Sequence, residues 1–358
     1  LPLEEITKHE QEECIVLRKN LKNGSSQDIE YKDTPKTKRM REELIAYIEV
    51  LNRHHIDLRY LKTDRYFVQT NGKQQCHLIS QGDFFVRRIF SAKSDKFDLN
   101  GRYYGGFWQR IPESRAKSKG SVSVYRTDIM IDNEATNELD YSNLHIALLA
   151  AEVGLELEGD AYDFPEQIHP GIPKDQQRSF VKSVILAAIN AETEDKTFRA
   201  VNDSRQGRKF DFKISKKMVL AVIDAFKDRY PLIAPKLCTG AGLRLMYKDS
   251  QIASLIIKAF VARDEPVLVV HDSFIVRASQ VPELEKELYK AAQAVAGKTI
   301  EFTAEKVLVS ENDSIHLSPT GVPGLRQQRM LQYRDERYGG CIGYNQRYQN
   351  WKNSRTLS

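Results

Sequence analysis

An α+β fold is predicted by three features of this sequence. Strand-like apolar runs occur in two separated places, one closing on Glu138-Leu139-Asp140-Tyr141 and one covering Val267-Leu268-Val269-Val270-His271-Asp272-Ser273-Phe274. Between them apolar residues recur at helical spacing, and turn residues or prolines punctuate the junctions. The order is therefore sheet, helical insertion, sheet. With 358 residues and 41% hydrophobic content, the chain can bury a sizeable core as one large domain or two to three closely packed subdomains.

The beginning is polar, with a loop signal at Gly24-Ser25-Ser26. Thr34-Pro35 then reads as N-cap and first helical residue, because proline there gives up only an N–H that has no partner within the helix. Met40, Leu44, Ile45, Ile48 and Leu51 form one apolar stripe, which should dock that helix on the body. From Gly120, Val122 and Val124 alternate with polar residues, Asp132-Asn133-Glu134 signals a turn, and a second strand carries Asp140. Leu144, Leu148 and Ala151 are helically spaced up to Gly154. Pro165, Pro170 and Pro173 mark a loop before helices at residues 174–191, 216–229 and 248–263, the last burying Ile252, Leu255, Ile256, Ala259 and Phe260. A strand over residues 267–276 and a helix over 282–296, on Leu284, Leu288 and Val295, complete the pattern.

Lys+Arg 54 against Asp+Glu 49 leaves a formal charge of +5, a mild pointer to a polyanionic partner. Its distribution says more. From Leu325 onward Arg326, Arg329, Arg334, Arg337, Arg347, Lys352 and Arg355 meet only Asp335 and Glu336, among Tyr333, Tyr338, Tyr344, Tyr348 and Trp351. Such a tail reads as a strand-tracking or duplex-holding extension, or as a terminal element packing its tyrosines on the core while the arginines face water. Cys14, Cys76, Cys238 and Cys341 form no CxxC pair, which argues against a zinc ribbon and a disulfide framework and fits a reducing cytoplasm. No apolar run approaches the roughly 20 residues needed to span a bilayer, and residues 1–10 are too charged for a signal peptide. The expected partners therefore exclude a membrane.

Asp140 and Asp272 each stand at the end of an apolar run, which is how two carboxylates distant in sequence come to share a metal site. Two-metal phosphoryl transfer needs such carboxylates to hold divalent ions roughly 3.5–4 Å apart. Oxygen ligands suit magnesium, which takes one or two carboxylates and leaves the other positions to phosphate and water. The alternative is that Asp140 caps the helix after it and Asp272 is a turn residue between strands. Arg178 and Lys182 lie four apart on a helix and could grip a triphosphate, or form a solvated face opposite Val181, Ile185 and Ile189. The loop from Gly101 to Pro112, with Arg102, Gln109, Arg110 and several aromatics, suits a nucleic-acid duplex end or a loop packed on the core.

Taken together and in order, these segments resemble the motifs of the family A nucleic-acid polymerases over about residues 100–276. Asp140-Tyr141-Ser142 is similar to motif A, Arg178-x-x-x-Lys182 to the start of motif B, and His271-Asp272-Ser273 to motif C. The loop ending in Gln109-Arg110-Ile111-Pro112 resembles the family segment that touches the primer–template minor groove. The resemblance implies a right-hand polymerase with an antiparallel-sheet palm, helical fingers and a reduced thumb. Its divisions would be 1–66 as an N-terminal helical region, 67–153 and 236–318 as the two parts of the palm, 154–235 as fingers, and 319–358 as the basic aromatic tail.

The implied activity is template-directed DNA synthesis from dNTPs on a primer 3′-hydroxyl, in a bacterial or phage-infected cytoplasm. Asp140 and Asp272 would hold two Mg2+ ions, with Mn2+ as a substitute, and His271 would position the primer end. Arg178, Lys182, Tyr141, Asn143, His145, Leu186 and Asn190 would meet the nucleotide; Arg102, Gln109, Arg110 and Ser273 would meet the primer–template. Several positions depart from the family. His145 stands where the DNA enzymes carry a glutamate that blocks the ribose 2′-hydroxyl, and Leu186 and Asn190 replace the usual aromatic or methionine and tyrosine. Ser273 replaces a glutamate and brings motif C closer to the single-subunit RNA polymerases, so an enzyme using NTPs and an inactive nucleic-acid-binding module are the alternatives. No proofreading domain fits before residue 100, and the short thumb implies low processivity or a clamp or helicase partner.

Overall fold

Three sheets, one of them a two-stranded hairpin, and the helices packed on and between them account for most of the described residues; the computed structural model describes residues 13–21, 24–70, 73–112, 124–203, 210–304 and 342–356. In chain order the elements are β1 (Ile15–Asn20), β2 (Ser26–Ile29), α1 (Pro35–Arg53), β3 (Ile56–Leu58), β4 (Arg65–Thr70), β5 (Lys73–Leu78), β6 (Arg87–Ser91) and β7 (Asn100–Tyr104). Then come β8 (Ile129–Ile131), β9 (Glu134–Tyr141), α2 (Leu144–Glu152), α3 (Lys174–Asn190), α4 (Glu194–Asp203), α5 (Lys216–Arg229) and α6 (Gly242–Val261). The chain continues through β10 (Leu268–Val270), β11 (Ser273–Arg277), α7 (Val281–Ala296), β12 (Phe302–Ala304) and α8 (Ile342–Thr356).

The fold is α+β, as the alternation of patterns predicts. One sheet runs β2-β1-β6-β7, with β1 and β6 parallel and its other pairs antiparallel. The central sheet runs β10-β11-β9-β8-β3, with β12 also joined to β9, all antiparallel. Asp132 and Asn133 make the β8–β9 turn with φ of 49° and 66°, the left-handed conformation that a two-residue hairpin needs and that these residue types tolerate. Leu139, Tyr141, Phe274 and Val276 bury one face of the central sheet, and the Tyr141 hydroxyl donates to the Leu288 carbonyl of α7 at 2.5 Å.

Sequence and structure differ at several places. Residues 1–66 were expected to be helical, yet they contribute β1, β2 and β3 besides α1. Their pairings reach β6 and β8, far along the chain, so local periodicity carries little trace of them. On α1 the capping by Thr34 is present, but Ile45 is 46% exposed and Tyr47 and Val50 are buried instead. α6 starts at Gly242, turns Leu255 outward and buries Leu245 and Ile257. α4 was not anticipated. The expected strand around Val122 lies outside the described residues.

The basic aromatic tail, expected to hold nucleic acid, ends in a helix that packs on the protein. Within α8, Tyr344 is 1% exposed and the Arg347 guanidinium donates to the Asp57 carboxylate at 2.6 Å and to the carbonyls of Leu61 and Leu58. The rings of Tyr344, Tyr348 and Trp351 surround His55 at centroid distances of 5.1–5.4 Å. The rest of the tail, residues 305–341, lies outside the described residues.

His55 has no hydrogen-bond partner for either ring nitrogen among the described residues, and burial pushes its pKa down to about 4. A buried histidine that folds neutral leaves stability intact above its ordinary pKa near 6.5. Below that the unfolded chain takes up the proton first, so stability is lost as pH falls toward about 4. His55→Phe should therefore remove on the order of 2 kcal/mol of destabilisation at about pH 5. Melting curves at about pH 7 and pH 5 test this; equal pH dependence in both proteins would refute it.

Candidate active site

The β10–β11 hairpin forms because Val267, Leu268 and Val269 on one side and Phe274, Ile275 and Val276 on the other are all buried. Only His271 and Asp272 remain for the turn, since Val270 pairs with Ser273; His271 takes φ +59°. β11 then aligns with β9 so that Ser273 faces Asp140, and the Tyr141 N–H donates to the Asp272 carbonyl at 3.2 Å. The two aspartates thus sit at one end of the sheet, one residue out of step on adjacent strands whose Cα atoms are roughly 4.5–5.5 Å apart. Leu139 and Tyr141 point into the core, so Asp140 is exposed; Asp272 is half-buried.

A largely buried polar cluster adjoins them. The Arg102 guanidinium of β7 donates to the Asp249 carboxylate of α6 at 2.5 Å and lies 3.2 Å from Nε2 of His145 on α2. Asp249 is 1% exposed; burial raises its pKa to about 7, Arg102 opposing and Asp272 reinforcing the shift. His145 goes the other way, to about 4, first through burial and then through Arg102. His145 is thus neutral at pH 7, and Nε2, facing a guanidinium, is its accepting nitrogen. Asn143 starts α2 in a left-handed conformation, φ 53°, and its carbonyl accepts the N–H groups of Ile146 and Ala147; this tight entry brings His145 back toward Arg102. His271 is held below its usual pKa, chiefly by burial and then by Arg102, and its ring meets Tyr104 edge-on at 5.8 Å.

α3 supplies the other wall. Arg178 donates to Asp160 at 2.5 Å, and the Lys182 ammonium lies 5.7 Å from the Tyr162 ring centre. The Tyr162 phenol is pushed up by burial and then by the negative charges of Asp160 and Asp272. Val181, Ile185 and Ile189 bury the opposite side of the helix. Asn190, expected to meet a nucleotide, instead donates to the Leu186 carbonyl and lies so close to Gly242 that a Cβ there would fall 1.9 Å from its Oδ1. The end of α3 is thereby used to seat the start of α6, and Leu186 is half-buried.

The expected duplex contacts are partly occupied by the protein itself. Gln109 donates to the carbonyls of Tyr103 and Val269 and accepts from the Gly105 N–H, so its amide fixes the loop to β10. Arg102 turns to Asp249 in the same way, while Arg110 reaches Nδ1 of His77 at 3.4 Å. Ser273 hydrogen-bonds the Glu138 carboxylate, which Arg126 also binds at 2.8 Å.

Asp249, Glu138, Tyr162 and Asp160 escaped the sequence analysis. For Asp249 a signal existed: it falls in line with Leu245, Ile252, Ile256 and Phe260, an acid inside an apolar helical stripe. Such a position is paid for only by a buried partner.

Asp140 and Asp272 are hard oxygen donors suited to magnesium. Among the described residues no group of three or more His, Cys, Asp or Glu could hold a metal ion. Two carboxylates at an open sheet end match an ion whose remaining ligands come from phosphate and water. No helix among the described residues is long and apolar enough to cross a membrane. No family model and no curated protein matches this chain.

Proposed function

We propose that the protein is a template-directed nucleotidyltransferase of the right-hand polymerase type, extending a nucleic-acid primer with dNTPs. The observation that supports this reading is the strand register joining Asp140 to Ser273, which brings both aspartates to one sheet end, with the Asp272 charge felt at Tyr162, the ring beside Lys182. In this reading β8–β11 form the palm and α3–α5 the fingers.

Asp140 and Asp272 would hold magnesium, which when bound lowers the pKa of the primer hydroxyl and stabilises the departing pyrophosphate. Lys182 and Arg178 would take the triphosphate, Arg178 exchanging the Asp160 carboxylate for phosphate oxygens. Arg102, clamped by Asp249 and His145, would keep a fixed positive charge at the primer side. His145 stands beside the nucleotide as a neutral, bulky ring, a reason to favour deoxynucleotides. Where a glutamate would follow Asp272, Ser273 contacts Glu138, so a carboxylate reaches that point from the neighbouring strand.

Primer extension with dNTPs and, separately, NTPs tests the proposal. Template-dependent growth with dNTPs, abolished by EDTA, is expected; growth only with NTPs would make the enzyme an RNA polymerase, and no turnover with either set would refute the reading. Lys182→Ala should raise the nucleotide KM about tenfold with kcat less affected, since an exposed point charge contributes ground-state binding. An unchanged KM would remove Lys182 from the site.

A further inference from the structure

The solvent face of the β2-β1-β6-β7 sheet is continuous with the candidate active site. Arg87 pairs with Tyr104, so strand alternation turns Arg87, Ile89 and Tyr104 to one face, while Arg88 and Tyr103 point into the core. On β1 the same face carries Arg18, next to Ser91 of β6. A groove of about 460 Å³ runs over it, lined by Arg18, Phe85, Arg87, Ile89, Tyr104 and Arg110, with Asp83 the one carboxylate on its wall. Arg18 leans on Asp28 at 2.6 Å, and the Arg87 guanidinium lies 5.3 Å from the Phe85 ring centre. At its inner end Tyr104 meets the His271 ring.

We propose that this groove holds a single-stranded stretch of nucleic acid beside the primer terminus, a template segment in the polymerase reading on which the assignment of strand rests. Three guanidinium groups, one of them shared with Asp28, still outnumber the nearby carboxylates and favour a polyanion, and aromatic rings among them offer faces on which unpaired bases stack irrespective of sequence. A duplex presents no such base faces except at its ends. Three strands span about 10 Å, room for two to three bases at about 3.4 Å each.

The test is fluorescence anisotropy with the full chain, without nucleotide, using a labelled oligodeoxythymidylate and a blunt duplex of equal length. In the Arg18→Gln/Arg87→Gln double variant, affinity for the single strand should fall tenfold or more, and the slope of log affinity against log salt should flatten by about 1.4. Tyr104→Leu should weaken the single strand about tenfold and leave the slope unchanged. Circular dichroism checks that each variant is folded, and the half-buried arginine pair serves if the tyrosine variant is not. Wild-type affinity in both variants, or a loss confined to the duplex, overturns the proposal. Oligonucleotide binding lost in the variants while the wild type extends no primer would sustain the groove and refute the polymerase reading; extension with unaltered oligonucleotide binding would do the reverse.

Discussion

Asp272→Asn is expected to reduce nucleotide transfer by about 10³-fold or more, which is roughly 4 kcal/mol of transition-state stabilisation. The substitution is nearly isosteric, and the contact that aligns the turn, from the Tyr141 N–H to the residue 272 carbonyl, belongs to the main chain and survives. Asp140→Asn should behave alike, because Asp140 lies on an exposed sheet end rather than in the core. Both variants should melt within about 1 kcal/mol of the parent, or slightly above it, since neutralising one of two neighbouring carboxylates relieves repulsion. Loss of activity with retained fold separates a chemical role from a structural one. Undiminished primer extension by either variant would remove that aspartate from the reaction.

The second large effect concerns stability. Arg347→Met leaves the Asp57 carboxylate, 0% exposed, with the Leu58 N–H as donor and the His55 Nε2 3.7 Å away, and removes a donor from the carbonyls of Leu58 and Leu61. Removing one partner of a buried ion pair costs about 3–5 kcal/mol, much of it the desolvation of the charge left behind. Asp57 already has a raised pKa, through burial opposed by Arg347, so part of that cost is met by protonation and the lower figure applies. The loss should therefore be about 3 kcal/mol, larger at high pH than at low pH. Adding Asp57→Asn should recover part of it. Urea titration of both variants at two pH values gives the comparison; a loss below about 1 kcal/mol would mean that α8 does not hold Asp57 as described.

What could be read from the sequence was local. The helices over α3, α5 and α7 follow from apolar spacing and end signals, whereas the single strand expected over residues 267–276 is two antiparallel strands, β10 and β11, folded back at His271 and Asp272. The residues proposed for the site on these elements stand out in the sequence because chemistry and local pattern coincide there. What escaped depends on distant pairing. β1 has one short apolar run that acquires meaning only beside β6, and Asp160 shows its role only when the loop before α3 folds back on Arg178. Gln109 and Asn190 were placed on substrate from motif position, whereas the folded chain turns both amides to its own backbone; sequence position cannot separate those outcomes.

β9 is paired on both sides at Asp140, with Ser273 on one flank and Thr303 on the other. A one-residue slip would exchange inward and outward side chains along the whole strand. The acidic centre is thereby set by main-chain ladders, indifferent to most side-chain identities around it, whereas Arg102, His145, Tyr162 and Lys182 arrive on separate strands, helices and loops. Anyone re-engineering what the protein accepts should begin at Lys182, change Arg102 only together with Asp249, and leave the two strands untouched.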